Sequence, residues 1–152
     1  MTERFPSQAF FGALKKRIEE ESALFQKLGI FDVSFGVHVL PSDGAPECLV
    51  VLDFDTYACA SAREVARAPE TIDFVLEAPY GVWRAMLASL DAKGAVDAGH
   101  TINTLTHHDD PMRVTWSDPV GHDKLFRFQE SIQMVFDLAA RVEGRAVACE
   151  PR

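Results

Sequence analysis

The stretch "TLTHHDD", residues 104–110, places His107 and His108 directly before Asp109 and Asp110. His100 lies upstream and His122 downstream, so four of the five histidines fall within 23 residues, beside several carboxylates. Imidazoles and carboxylates together can ligate a metal or relay protons. A shared metal needs donors aimed at one point, and the usual helical device is two histidines four residues apart. The spacings here are 7, 1 and 14. Adjacent side chains diverge on a strand and on a helix alike. No metal site is therefore expected, and the simpler reading is a solvated loop closed by Asp109-Asp110-Pro111 turn chemistry.

Asp97 and His100 would meet at i, i+3 if their segment is helical. Buried, such a pair is a general base; exposed, it is a surface pair or cap. His38 lies on the polar face of the first strand beside Ser34 and Asp32, and could orient a ligand if that face lines a cavity. Cys59 has no activating neighbour in sequence. No phosphate loop, dinucleotide fingerprint, zincin motif or calcium loop occurs. The sequence names no catalytic residue, no metal ligand and no cofactor.

The elements that must position these residues follow from hydrophobic period. Pro6-Ser7 opens a helix whose apolar residues Phe10, Phe11, Leu14, Ile18, Leu24, Phe25 and Leu28 recur at helical spacing, and Gly29 ends it. In "FDVSFGVHVL" the period drops to two, with Phe31, Val33, Phe35, Val37 and Val39 on one face. "LPSDGAPE" is a turn. "CLVVLDFDTY", "ACASAREV" and "TIDFVLEAP" read as three more strands. Pro79 then starts a helix striped by Val82, Trp83, Met86, Leu87 and Leu90. Residues 91–123 form an irregular crossover in which Val114 and Trp116 suit a short strand. "KLFRFQ" reads as a strand. "ESIQMVFDLAARVEG" reads as a helix with Ile132, Val135, Phe136, Ala139 and Val142 inward and Gly144 at its end.

These elements predict one domain over 1–152, with its core in about 8–143 and a frayed tail at 145–152. The fold class is α+β: a five-stranded antiparallel meander with helices packed on one face, enclosing an apolar cavity. Eleven phenylalanines supply a thick aromatic core or such a cavity. The stripes hold large, adaptable side chains: Trp83, Met86, Leu87 and Leu90, with Met134, Val135 and Phe136. Met and aromatic residues suit apolar ligands, although plain core packing uses the same residues.

A net charge of −8 and a pI near 5.0 disfavour nucleic acid and anionic membrane surfaces. Three cysteines without a CxxC pair argue against a disulfide framework, and no apolar run is long enough to span a bilayer. A charged N-terminus without a signal-type apolar run points to a reduced, cytoplasmic setting.

The strand and Trp-containing helix in "TIDFVLEAPYGVWRAMLASL", and the closing segment "KLFRFQESIQMVFDLAARV", resemble the sterol carrier protein type 2 family over roughly residues 8–143. The resemblance implies an α+β sheet whose helices enclose an apolar tunnel. It also implies non-catalytic binding or transfer of a sterol, fatty acid or acyl chain, and the matching helices make Trp83, Met86, Leu87, Ile132, Val135 and Phe136 the candidate lining. Two rivals stand beside it. One is a small cone-shaped α+β enzyme using Asp53, His38 or the Asp97–His100 pair. The other is a protein–protein module, such as a homodimer.

Overall fold

The computed structural model describes residues 4–42, 44–89 and 95–148, with the backbone alone for 144–148. The element order is α1 (Gln8–Glu20), α2 (Ser22–Leu28), β1 (Val33–Leu40), β2 (Cys48–Asp55), β3 (Ala58–Glu64), β4 (Phe74–Pro79) and α3 (Tyr80–Ala88). A 3-10 turn at Ala98–His100, α4 (Ile102–Thr106), β5 (Arg113–Thr115), α5 (Pro119–Arg127) and α6 (Gln129–Ala148) complete it.

Local chemistry explains most boundaries. Ser7 caps α1 by accepting from the Phe10 N–H, as the Pro6-Ser7 signal requires. The stripe Phe10, Phe11, Leu14 and Ile18 is buried as its spacing demands. The expected single helix to Leu28 is two, because Glu21 leaves helical geometry and starts α2. Gly29 ends α2 with a positive φ of 99°, a conformation glycine adopts without a Cβ clash. Leu90 lies outside the described residues.

The five-stranded α+β sheet is as expected, but its pairing is not antiparallel throughout. The strand order is β3-β2-β1-β4-β5, and β1 and β4 run parallel. The meander holds for β1 to β3. The chain then returns across the outer face of the sheet to the far side of β1. Val65, Ala68 and Ile72 of this return pack on Leu49, Val51 and Val75, forming a second, smaller apolar cluster. The continuous apolar run of β2 reflects this: Cys48 to Leu52 are buried on both sides of the sheet.

The inner face presents Val33, Phe35, Val37, Val39, Val50, Leu52, Phe74, Leu76 and Ala78 to α1, α3 and α6, and this is the main core. Trp83 on α3 is fully buried, and its indole N–H reaches the carbonyls of both His38 on β1 and Ala78 on β4. One side chain thus ties together the ends of the parallel pair.

Two further readings need correction. "KLFRFQ" is not a strand; residues 119–127 form α5. Asp118 caps this helix through the Val120 N–H and Pro119 occupies its first turn. Leu125 turns into the core while Phe126 stays exposed, so an apparent alternation was half of a helical stripe. The fifth strand is instead Arg113–Thr115, which holds Val114 and stops before Trp116. The last helix runs through Gly144 to Ala148, and the rest of the expected frayed tail lies outside the described residues.

Candidate functional site

The six candidate lining residues come together. Trp83, Met86 and Leu87 on α3 face Ile132, Val135 and Phe136 on α6, and all six are buried in the main core. Trp83 and Phe136 stack with ring centroids 5.7 Å apart, and Phe136 lies 6.2 Å from the Phe35 ring on the sheet. Phe5 closes one side against Trp83 at 6.1 Å. The α3–α6 seam over the sheet is thus an aromatic and aliphatic interior with Met86 as its adaptable member. Asp137 on α6 anchors the crossover beside it, accepting from the Val96 N–H at 3.0 Å.

The polar candidates separate. Asp97 and His100 do pair, at 2.8 Å, but both are only half-buried and Asp97 also caps the turn through the Gly99 N–H. The hydrogen bond from His100 holds the Asp97 carboxyl below its usual range. This is a cap, not a buried base.

His38 lies on the outer face of the sheet. Its Nδ1 meets Glu77 at 3.1 Å and its Nε2 meets Glu47 at 2.8 Å. The parallel register sets His38 beside Glu77, a pairing of residues far apart in the chain that no sequence signal announces. The trio lines a groove of about 470 Å³ with Leu49, Glu64, Arg67 and Val75. This groove is on the opposite side of the sheet from the helices.

Asp53 sits in a row with Ser34 and Ser61 across three strands. It accepts from their hydroxyls at 2.5 and 2.6 Å, with Arg63 at 3.7 Å. Partial burial pushes its carboxyl up, but the two hydroxyls and Arg63 outweigh this and hold it below its ordinary value. A carboxyl lowered by folding stabilises the fold above its unfolded value, and that contribution fades as the pH falls through the folded value. Urea unfolding at pH 7 and at pH 3 tests it: Asp53→Asn is expected to lose less stability between the two than the parent. An equal loss in both would rule the row out as an acid-sensitive element.

Burial raises the Cys48 thiol to about 11 and the Cys59 thiol to about 12, so neither supplies a thiolate nucleophile near neutrality. Among the described residues no group of three His, Cys, Asp or Glu side chains is placed to hold a metal ion. No helix among them is long and apolar enough to cross a membrane.

The histidine stretch itself folds as α4 running into a turn. His107 caps α4, and Asp109 takes a positive φ of 55°, which aspartate tolerates better than most residues. Asp109 then accepts from the Val114 N–H at 3.2 Å, tying the turn to β5. His107, His108 and His122 line one cleft of about 430 Å³ together with Asn103, Asp109, Val114, Leu125 and Phe126. The sequence placed the histidines near one another in the chain, yet it did not show that residues of α4 and α5 share a cleft.

The architecture defines a class: the chain has the sterol carrier protein 2 fold. The crystal structure of sterol carrier protein 2 superimposes with a TM-score of 0.67 at 20% identity, covering 88% of this chain and 95% of that one. A conserved hypothetical protein from Thermus thermophilus, described as possibly a sterol carrier protein, gives 0.67 and 20% over 90% of this chain and 87% of that one. No protein-family model matches the sequence, and no curated protein is significantly similar to it.

Proposed function

We propose that this protein binds or carries an apolar small molecule, a sterol, fatty acid or acyl chain, between α3, α6 and the inner face of the sheet. The observation that carries the reading is the convergence of Trp83, Met86, Leu87, Ile132, Val135 and Phe136 on one buried seam. The shared fold of structures described as sterol carriers supports it. The mechanism is passive. The two helices part, the ligand's chain replaces side-chain contacts within the seam, and closure removes it from water. Each buried methylene contributes about 0.8 kcal/mol, so a long chain reaches the roughly 8 kcal/mol of micromolar binding. The setting is cytoplasmic and no cofactor takes part.

Native mass spectrometry of protein purified from cells tests this, with displacement of a fluorescent fatty acid as the solution counterpart. A retained apolar adduct and saturable displacement are expected. A bare mass together with no probe binding would sink the reading.

A second reading has one observation in its favour: the His38–Glu77 pair faces a groove, as an acid–base enzyme requires. Glu47 lies 2.8 Å from Nε2 and would have to withdraw and leave that nitrogen unprotonated before it could take a proton from a substrate. The sheet separates this groove from the apolar seam, so the two readings concern different sites.

A further inference from the structure

The five histidines divide into two groups. His38 and His100 are engaged by carboxylates. Among the described residues no hydrogen bond or ion pair engages the ring nitrogens of His107, His108 or His122, and these three share one cleft. An imidazole has at least one N–H donor in either protonation state. The cleft therefore offers several donors that the fold itself leaves unused.

The rest of the cleft is mixed: Asn103, Thr106 and Asp109 supply polar walls, and the floor is apolar. Its floor includes Leu125, a buried member of the main core, and Val114, which packs against that core. Its rim is aromatic. The exposed Trp116 stacks on His122 at 4.6 Å, and the exposed Phe126 meets the same ring edge-on at 5.3 Å. His107 and His108 sit edge to face at 4.3 Å. Stacking sets the His122 ring plane, which orients its nitrogens without occupying them.

The surrounding charges are mostly spent on one another. Asp109, the carboxylate of the cleft, receives the Val114 N–H. On α5, Asp123 pairs with Arg127 at 2.7 Å, and Lys124 reaches Asp73 at 3.3 Å. A metal ion is a poor fit, because the donors do not converge on a point. Unused N–H donors above an apolar floor suit an oxyanion attached to an apolar body.

We propose that the cleft of His107, His108 and His122 receives the acidic head group, a carboxylate or phosphate, of the apolar ligand. This rests on the reading of the protein as an apolar-ligand binder and narrows its ligand class: acidic amphiphiles in preference to neutral ones such as sterols.

The test uses the full chain and two probes, a fluorescent long-chain fatty acid and its methyl ester. The comparison is between the parent and a triple variant, His107→Gln, His108→Gln, His122→Gln. The acid is expected to bind the triple variant about tenfold more weakly, roughly the loss of one charge-assisted hydrogen bond, while the ester is unaffected. Histidine ring NMR signals of the parent guard against a misfolded variant: those of the cleft are expected to move with the acid and stay in place with the ester. If acid and ester bind both proteins equally, the head-group assignment fails and the apolar seam stands. If neither probe binds the parent, the seam reading fails and takes this one with it. Inorganic phosphate that moves the ring signals in a parent that does not bind the acid would make the cleft a free-anion site and overturn the lipid assignment. Stoichiometric zinc binding that the triple variant loses, without any effect on the acid, would overturn it as well.

Discussion

Gly121→Ala is expected to destabilise the protein by about 2–3 kcal/mol, against the direction that helix propensity alone dictates. Gly121 lies in the first turn of α5, where the helix is pressed onto the start of β4. A Cβ built there would lie 2.8 Å from the Asp73 Cα and 2.9 Å from its carbonyl carbon, and it would crowd the carbonyl oxygen as well. These are backbone atoms and cannot rotate aside. Asp73 is itself fixed: its carboxylate accepts from the Ser34 N–H at 2.8 Å and its N–H donates to the Ser34 carbonyl at 2.8 Å. Helix α5 must therefore move, loosening the Lys124–Asp73 pair and the seating of Leu125.

Gly12→Ala on α1 is the matched control, because nothing lies within 4 Å of a Cβ there. That change is expected to stabilise by up to about 1 kcal/mol, the ordinary helical difference between glycine and alanine. Thermal unfolding reads both, at roughly 2–4 °C per kcal/mol for a chain of this size. Equal stabilisation by the two substitutions would mean that α5 does not press on Asp73.

Trp83→Ala is expected to cost about 3–5 kcal/mol, the usual range for truncating a buried large aromatic. The indole is fully buried, touches Phe136 and Phe5, and donates to the His38 and Ala78 carbonyls at 3.2 and 3.1 Å. Trp83→Phe separates the two roles. It keeps most of the apolar bulk and removes only the shared donor at the parallel pair, for an expected cost of about 1–2 kcal/mol. Denaturant unfolding of the two variants gives the split. A Phe variant as unstable as the Ala variant would show that the N–H, not the bulk, holds the strands' ends.

The alanine variant also bears on the proposed ligand. A void in the α3–α6 seam is space that an apolar chain can fill, so a long-chain fatty acid is expected to return part of the lost stability. Binding to the folded state alone raises stability with ligand concentration. A variant that the ligand leaves unchanged, beside a parent that it stabilises, would place the chain away from Trp83.

Much of this protein was legible residue by residue. The apolar stripe from Phe10 to Ile18, the alternation around Phe35, the Ser7 cap and the Asp97–His100 pair are local, set by repeats of two or 3.6 residues and by side chains reaching a few positions along the chain. The apolar stripes gave Trp83, Met86, Leu87, Val135 and Phe136 of the α3–α6 seam, and the family resemblance of the two helices added Ile132.

Residues 124–129 were not legible in this way. Leu125, Phe126 and Phe128 satisfy either period over so short a run, and the Asp118 cap with the contact at Gly121 decided for a helix. Nor could alternation show that β4 would cross back to pair with β1. That choice buries Ile72 and Val75 on the outer face, and it alone brings His38 to Glu77. The histidines carry the same lesson. Their crowding in "TLTHHDD" and its neighbours was visible in the sequence, but only the docking of α5 beside α4 put His122 with His107 and His108 and left His100 outside, capped by Asp97. Hydrogen bonding within a few residues writes a period into the chain. The meeting of distant segments is fixed by which surfaces they bury together, and that is a property of the folded molecule.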